Sequence, residues 1–256
     1  MTREEIIKAI NDDRITIMIQ PIYSVAKKRF VSAEVLARLI DENGDIIPPN
    51  DFIPIIEHTK VMYKLELKIL KKVCEVLSKD EIIDLNLEYV EVNLSARNAE
   101  KKEFLKTAKD IVDDSGIAYN SINIEITETA KPVNQQLFFE NINTLRDHGF
   151  RISLDDFGTG TSNFHYLVNM PIKLVKIDMS LIKDMINNGK NLSIVSGIIQ
   201  MTHSLGSKTV AEGVEDEETL KALEILQADY IQGFYFSKPL HVDDFIKFIK
   251  ENNKED

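Results

Sequence analysis

One cysteine, no tryptophan, ten glycines and seven prolines in 256 residues set the first limits. A single Cys74 excludes an intrachain disulfide, and its neighbours Val73, Val76 and Leu77 predict a buried thiol rather than a reactive one. So little Gly and Pro, against 43% apolar and 29% charged residues, excludes a collagenous or low-complexity chain and predicts a folded one. No apolar stretch reaches the ~18 residues of a membrane span. Residues 1–20 carry Arg3, Glu4, Glu5, Asp12, Asp13 and Arg14 without an apolar signal region, so a cytoplasmic chain with no membrane insertion is expected. Basic charge is also short: 31 Lys plus Arg against 42 Asp plus Glu give a net charge of −11, which argues against duplex nucleic acid as partner. Any phosphate ligand must be held locally, against that field. Gly-x-Gly-x-x-Gly and Gly-x4-Gly-Lys-Ser/Thr loops are missing. The histidines, His58, His148, His165, His203 and His241, show no paired zinc spacing and read as surface or packing residues.

What is present is a rhythm. Short β-rich runs at 16–22, 31–39, 89–95, 122–127, 151–155, 174–177, 209–212 and 230–232 alternate with helical periods such as Leu65, Ile69, Val73, Val76 and Ile194, Ile198, Met201, Leu205. Gly116 and Gly206 stand where helices should stop. Eight strands and intervening helices with no linker predict an α/β fold, a (β/α)8 TIM-like barrel formed by residues 1–256 as one domain. The connection at 23–29 is too short for a crossover helix, so the first two strands should pair antiparallel and make the barrel irregular at its start.

Barrel enzymes draw their chemistry from the carboxyl ends of strands and the loops that follow. Here those ends are polar almost throughout: Asn93, Glu125, Asp155 with Asp156, Lys176 with Asp178, Glu212 and Gln232. Alternation puts Ile122, Ile124 and Ile126 on one face of a strand and Asn123, Glu125 and Thr127 on the other, and likewise divides Val90, Val92 and Leu94 from Glu91, Asn93 and Ser95. The polar faces should look inward, and Glu34 and Arg38 share that face on the second strand. For Asp155, Glu212 or Glu125 taken singly, a helix N-cap is an equally good reading. Several such ends meeting at one mouth would repel one another unless a cation balances them, and oxygen donors without Cys or a His cluster point to Mg²⁺ or Mn²⁺. Asp155-Asp156-Phe157-Gly158 contains the Asp-Phe-Gly of kinases, but neither a Gly-rich nucleotide loop nor a His-Arg-Asp loop accompanies it.

These residues resemble, in order along nearly the whole chain, the EAL-domain phosphodiesterases that hydrolyse cyclic di-GMP. The matching motifs are Ile19-Gln20-Pro21-Ile22, Glu34-Val35-Leu36-Ala37-Arg38, Phe52-Ile53-Pro54, Val92-Asn93-Leu94-Ser95, Glu125-Ile126-Thr127-Glu128, Asp155-Asp156-Phe157-Gly158-Thr159-Gly160, Lys176-Ile177-Asp178, Ala211-Glu212-Gly213-Val214-Glu215 and Gln232-Gly233-Phe234 with Ser237-Lys238-Pro239-Leu240. The resemblance implies two Mg²⁺ or Mn²⁺ ions per site, the first held by Glu34, Asn93, Glu125 and Asp155, the second by Asp155 and Asp156. Glu212 is implied as a further metal-site carboxylate or base, and Lys176 and Gln232 as groups that position the attacking water. Gln20, Leu36, Arg38 and Pro239 would meet the dinucleotide; Glu128 and Glu215 would hold the loop after the fifth predicted strand. The implied reaction is two-metal hydrolysis of cyclic di-GMP to linear 5′-pGpG, with a catalytically silent receptor as the alternative. A homodimer through segments 163–168 and 179–187 is implied as well. Val35 replaces the Ala of the name-giving motif and should point away from the site. Thr161, Asn163, Met179 and Phe234 also depart from the family pattern, at the loop and its surroundings.

Overall fold

Eight strands close into a barrel in the computed structural model, which describes residues 1–57, 59–128, 131–159 and 164–253. His58, Gly160, Thr161 and Asn163 fall outside the described residues. The strands are β1 (Ile15–Ser24), β2 (Arg29–Ile40), β3 (Ile46–Ile47), β4 (Tyr89–Asn93), β5 (Ile122–Thr127), β6 (Arg151–Phe157), β7 (Leu174–Ile177), β8 (Lys208–Ala211) and β9 (Tyr230–Ile231). Their order around the sheet is β1-β9-β8-β7-β6-β5-β4-β2, closed by β1 against β2, with β3 appended outside β2. From β2 through β9 the barrel neighbours run parallel, whereas β1 is antiparallel to both β2 and β9. The four residues 25–28 between β1 and β2 allow only a hairpin, so the expected irregular start is found. The two-residue β3 was not expected. Because it is inserted, the fifth predicted strand is β6.

The strand sequences explain the layering. Val90 and Val92 of β4, Ile122, Ile124 and Ile126 of β5, Ile152 and Leu154 of β6, and Val175 and Ile177 of β7 point outward and join one buried core. Against them pack Leu65 and Ile69 of helix Lys60–Leu77, Phe104 and Ala108 of Lys102–Ser115, and Phe138 and Leu145 of Gln135–His148. Each such Val, Leu, Ile or Phe side chain contributes roughly 1.5–3 kcal/mol through burial. Cys74 lies in this core, as its neighbours predicted, and so does Val35, pointing away from the barrel interior. Helix Gly189–Ser204 differs from its predicted stripe: it buries Val195, Ile198, Ile199 and Thr202 and leaves Ile194 and Leu205 half-exposed. A broad apolar arc there, from Leu192, Ile194, Val195, Ile198, Ile199 and Met201, let tertiary packing choose the buried part.

Inside the barrel the chemistry is inverted. The amino-terminal end is plugged by Ile22, Tyr89, Leu174, Val210 and Tyr230, while the layers above are polar. Among the described residues, no helix is long and apolar enough to cross a membrane.

Candidate active site

Lys176 stands at the centre of the polar interior. It alternates inward on β7 with Leu174 and is fully buried, and its ammonium lies 2.6 Å from Glu125 Oε1 and 2.8 Å from Glu212 Oε1. Glu91 Oε2, Glu34 Oε2 and Asp155 Oδ1 follow at 3.4, 3.5 and 3.6 Å. The contacts to Glu125 are off the hydrogen-bond axis: neither Nζ nor Glu125 Oε1 completes a hydrogen bond among the described residues. Asn93 Nδ2 donates to the other oxygen of Glu125 at 3.2 Å. Gln232 Nε2 donates to Glu34 Oε2 at 2.6 Å and to Gln20 Oε1 at 3.1 Å, tying β2, the end of β9 and β1 together. The barrel thus brings Gln20, Glu34, Asn93, Glu125, Asp155, Lys176, Glu212 and Gln232 to one place.

Asp156 reaches the same place by breaking a rule. Consecutive strand residues point to opposite faces, so Asp155 and Asp156 should diverge. Between Leu154 and Phe157, however, β6 carries one more residue than its partner β7, and Asp156 takes a left-handed φ of 55°. That bulge turns both carboxylates to the mouth, where Asp155, Asp156 and Glu212 present oxygens within 4.8 Å of one another. Asp tolerates this region better than most residues. Two glycines complete the turns. Gly158 has φ +103°, and a Cβ there would meet Leu181 Cδ1 at 2.5 Å; Gly213, next to Glu212, has φ +69° and would meet Met179 Cβ at 2.4 Å.

Five carboxylates, Glu34, Glu91, Glu125, Asp155 and Glu212, share one buried cation, and Asp156 stands beside two of them. A paired carboxylate is ordinarily drawn down, but here burial lifts Glu125 and Glu212 well above the usual carboxylate range, with Lys176 only partly countering it. Burial, then Asp155 and Asp178, push Asp156 up to about 6. For Lys176, burial disfavours the ammonium, yet Asp155, Glu125, Glu212 and Glu34 outweigh it and hold the pKa well above that of a free lysine. The excess of anionic oxygen fits divalent cations, and so does the donor set, which is carboxylate and amide oxygen with no sulfur or imidazole. Gln232 Oε1, buried and without a hydrogen bond among the described residues, adds a further acceptor.

The remaining predicted residues lie around this cluster. Leu36 and the half-buried Arg38 follow Glu34 on the inward side of β2; burial lowers the Arg38 pKa, and its Nη1 donates to Ala37 O at 2.8 Å. Pro239 sits in a segment laid against β1 by the Ile19–Leu240 bridge and by Gln20 Nε2 donating to Ser237 O. Glu128 Oε2 accepts from Gly158 N at 2.6 Å, directly bracing the turn after Asp156. Glu215 is instead half-exposed and pairs with Lys183 at 3.2 Å. Asp178, one of the polar strand ends, has the ordinary role of an N-cap, accepting from Ser180 N. His148, His165 and His203 contact Thr144, Gln135 and Asp229, away from Lys176.

Two groups near the site were not read as such from the sequence. Alternation sends Glu91 inward with Asn93, but nothing in the pattern gives it a partner or a role. Glu66 sits on the apolar stripe of helix Lys60–Leu77 between Leu65 and Ile69, the one available signal. It is fully buried, accepts from Ser95 N at 2.8 Å and Asn98 Nδ2 at 2.7 Å, and burial lifts its pKa to about 7 against those hydrogen bonds.

A cavity of about 630 Å³ opens over the cluster, lined by Glu34, Leu36, Asn93, Arg97, Asp155 and Asp156 among others. A second, of about 420 Å³, lies at the opposite end near Gly116 and Ser121 and touches none of the acidic residues. Comparison with known proteins bears on the first of these. The chain is 34% identical over 246 residues to the signaling protein YkoW of Bacillus subtilis, covering 95% of this chain and 30% of that protein. It is 29% identical over 247 residues to the cyclic di-GMP phosphodiesterase NbdA of Pseudomonas aeruginosa, covering 96% and 32%. It therefore spans about a third of the length of these relatives. The cAMP- and cyclic-di-GMP-bound EAL enzyme Bd1971 superposes with a TM-score of 0.90 at 29% identity, over 96% of this chain and 67% of that one. The family model for the EAL domain matches residues 3–239, so the chain belongs to the EAL domain family.

Proposed function

We propose that the protein is a cyclic di-GMP phosphodiesterase that opens the cyclic dinucleotide to linear 5′-pGpG with two divalent cations, Mg²⁺ or Mn²⁺. The observation that carries this reading is the gathering of Glu34, Asn93, Glu125, Asp155, Asp156 and Glu212 around the single buried Lys176, at the carboxyl ends of the strands of an EAL-family barrel. Glu34, Asn93, Glu125 and Asp155 would hold the first ion, Asp155 and Asp156 the second, with Glu212 and Gln232 completing the set. When bound, such ions lower the pKa of a water nucleophile and spread the charge developing on the phosphoryl group.

The chain's own groups supply the rest. Lys176 donates from below to the incoming water and offsets negative charge, while Glu212, 2.8 Å from it, is the carboxylate available to take a proton. Gln232 holds Glu34 and Gln20 in register. Arg38 is free to exchange its backbone acceptor, Ala37 O, for a phosphate oxygen, a charge-assisted bond. Leu36 and Pro239 offer apolar contact to a base, and Glu128 keeps the Asp155–Asp156 turn in shape through Gly158. Incubation with cyclic di-GMP and Mg²⁺ or Mn²⁺, followed by chromatography, tests the proposal: 5′-pGpG is expected, and retained but uncut ligand would mark a receptor instead. A homodimer is proposed through helices Phe164–Asn169 and Met179–Ile182, where Phe164, Val168 and Met179 are 54%, 78% and 41% exposed. Sedimentation should show a dimer that Val168→Glu dissociates; a wild-type monomer with ligand bound refutes it.

A further inference from the structure

Resting on that functional reading, we infer that Glu91 is the positioning residue for Lys176, the carboxylate that keeps its ammonium in place once the other acidic groups are engaged by cations. Five carboxylates lie within 3.6 Å of Lys176 Nζ. Four of them, Glu34, Glu125, Asp155 and Glu212, belong to the proposed metal set. Glu91 does not: it precedes Asn93 by two residues on β4, hence roughly 6–7 Å deeper in the barrel. It is completely buried, and its Oε2, 3.4 Å from Lys176 Nζ, has no hydrogen bond among the described residues.

The other oxygen is fixed from the neighbouring strands. Glu91 and Asn123 are register partners across β4 and β5, and Asn123 Nδ2 donates to Glu91 Oε1 at 3.1 Å. The same amide donates to Ser153 Oγ of β6 at 2.9 Å. All three side chains are at most 1% exposed. With Oε1 tied by this strut, Oε2 is held facing the ammonium. Glu34, Glu125, Asp155 and Glu212, if engaged as ligands of cations at the mouth, would hold Lys176 less strongly. Glu91, two residues deeper on its strand than Asn93, would retain its hold, so the lysine would stay aimed at the reacting atoms instead of following the carboxylates.

The test separates positioning from ligation and from folding. With saturating Mg²⁺ and cyclic di-GMP, Glu91→Gln should lower kcat roughly 10–100-fold while KM and the calorimetric Mg²⁺ dissociation constant stay within about twofold. Asn123→Ala keeps every charge and removes only the strut; it should show the same split to a smaller extent, and it serves where the Gln variant does not fold. Independently of turnover, the ammonium NMR signal of Lys176 in the metal-loaded protein, assigned by its loss in Lys176→Met, should move or broaden in either variant. A kcat within about threefold of wild type, or Mg²⁺ affinity falling in step with kcat, overturns the inference. Wild-type protein that leaves cyclic di-GMP uncut defeats the functional reading instead, and the NMR comparison then decides alone: an unmoved Lys176 signal overturns the positioning role.

Discussion

Lys176→Met is the sharpest perturbation of this barrel, because it removes the cation that five carboxylates share and replaces it with an apolar side chain of similar reach. Removing one partner from a buried ion pair costs about 3–5 kcal/mol, since the remaining charge is left without compensation. For a chain of this size each kcal/mol moves the melting temperature by about 2–4 °C, so in EDTA at about pH 8 the variant should melt about 6–20 °C below wild type. The deficit must depend on pH. Without the lysine the buried acids keep their protons to still higher pH, the folded state then binds more protons than the unfolded one, and stability present in acid is lost as pH rises. Calorimetric scans should therefore show the gap narrowing on acidification. Mg²⁺ or Mn²⁺ should narrow it too, by substituting one kind of positive charge for another, yet leave turnover at background. A metal-free variant melting within about 2 °C of wild type at that pH would mean the carboxylates are not held together by Lys176, and the electrostatic account of the site would be wrong.

Glu34→Ala should abolish hydrolysis of cyclic di-GMP while leaving far-ultraviolet circular dichroism unchanged; turnover within about tenfold of wild type would remove Glu34 from the metal set. Glu66 is lifted by burial from 4.5 to about 7, a raised carboxylate whose contribution is complete below about pH 4.5 and lost as pH rises through about 7. At about 1.4 kcal/mol per pH unit that is about 3 kcal/mol, so urea unfolding in EDTA should show wild type losing this much relative to Glu66→Gln across the window, and parallel pH profiles would exclude the shift.

Much of the fold was legible because it rests on alternation and on chain length. Ile122, Ile124 and Ile126 against Asn123 and Glu125 state which face of β5 meets the helices, and the four residues between β1 and β2 forbid anything but a hairpin. Packing that depends on choices among equivalents was not legible. In helix Gly189–Ser204 Ile194 and Ile198 carry the same weight in a periodic pattern, and only contact with the barrel selects Ile198 for burial and leaves Ile194 half-exposed.

The site divides in the same way. Residues whose position follows from strand parity, such as Glu125 and Lys176, could be placed at the mouth from their neighbours. Asp156 is placed there as the residue just after a strand read as ending at Asp155; the strand in fact continues to Phe157, where parity would turn Asp156 outward, and it reaches the mouth through one extra residue in β6 and a positive φ, neither of which sequence spacing records. Glu91 shows a further limit. Parity assigned it to the interior together with Asn93, but parity says nothing of depth. Depth follows from the stagger of each strand against the next, where Asn93 stands beside Glu125 and Glu91 beside Asn123. Two residues on the same inward face thus meet different environments: Asn93 is exposed beneath the cavity, while Glu91 is sealed under Lys176, between the lysine, the Glu125 carboxyl and its own amide strut. A carboxylate in the first position is suited to a cation or substrate, and one in the second only to hold what lies above it.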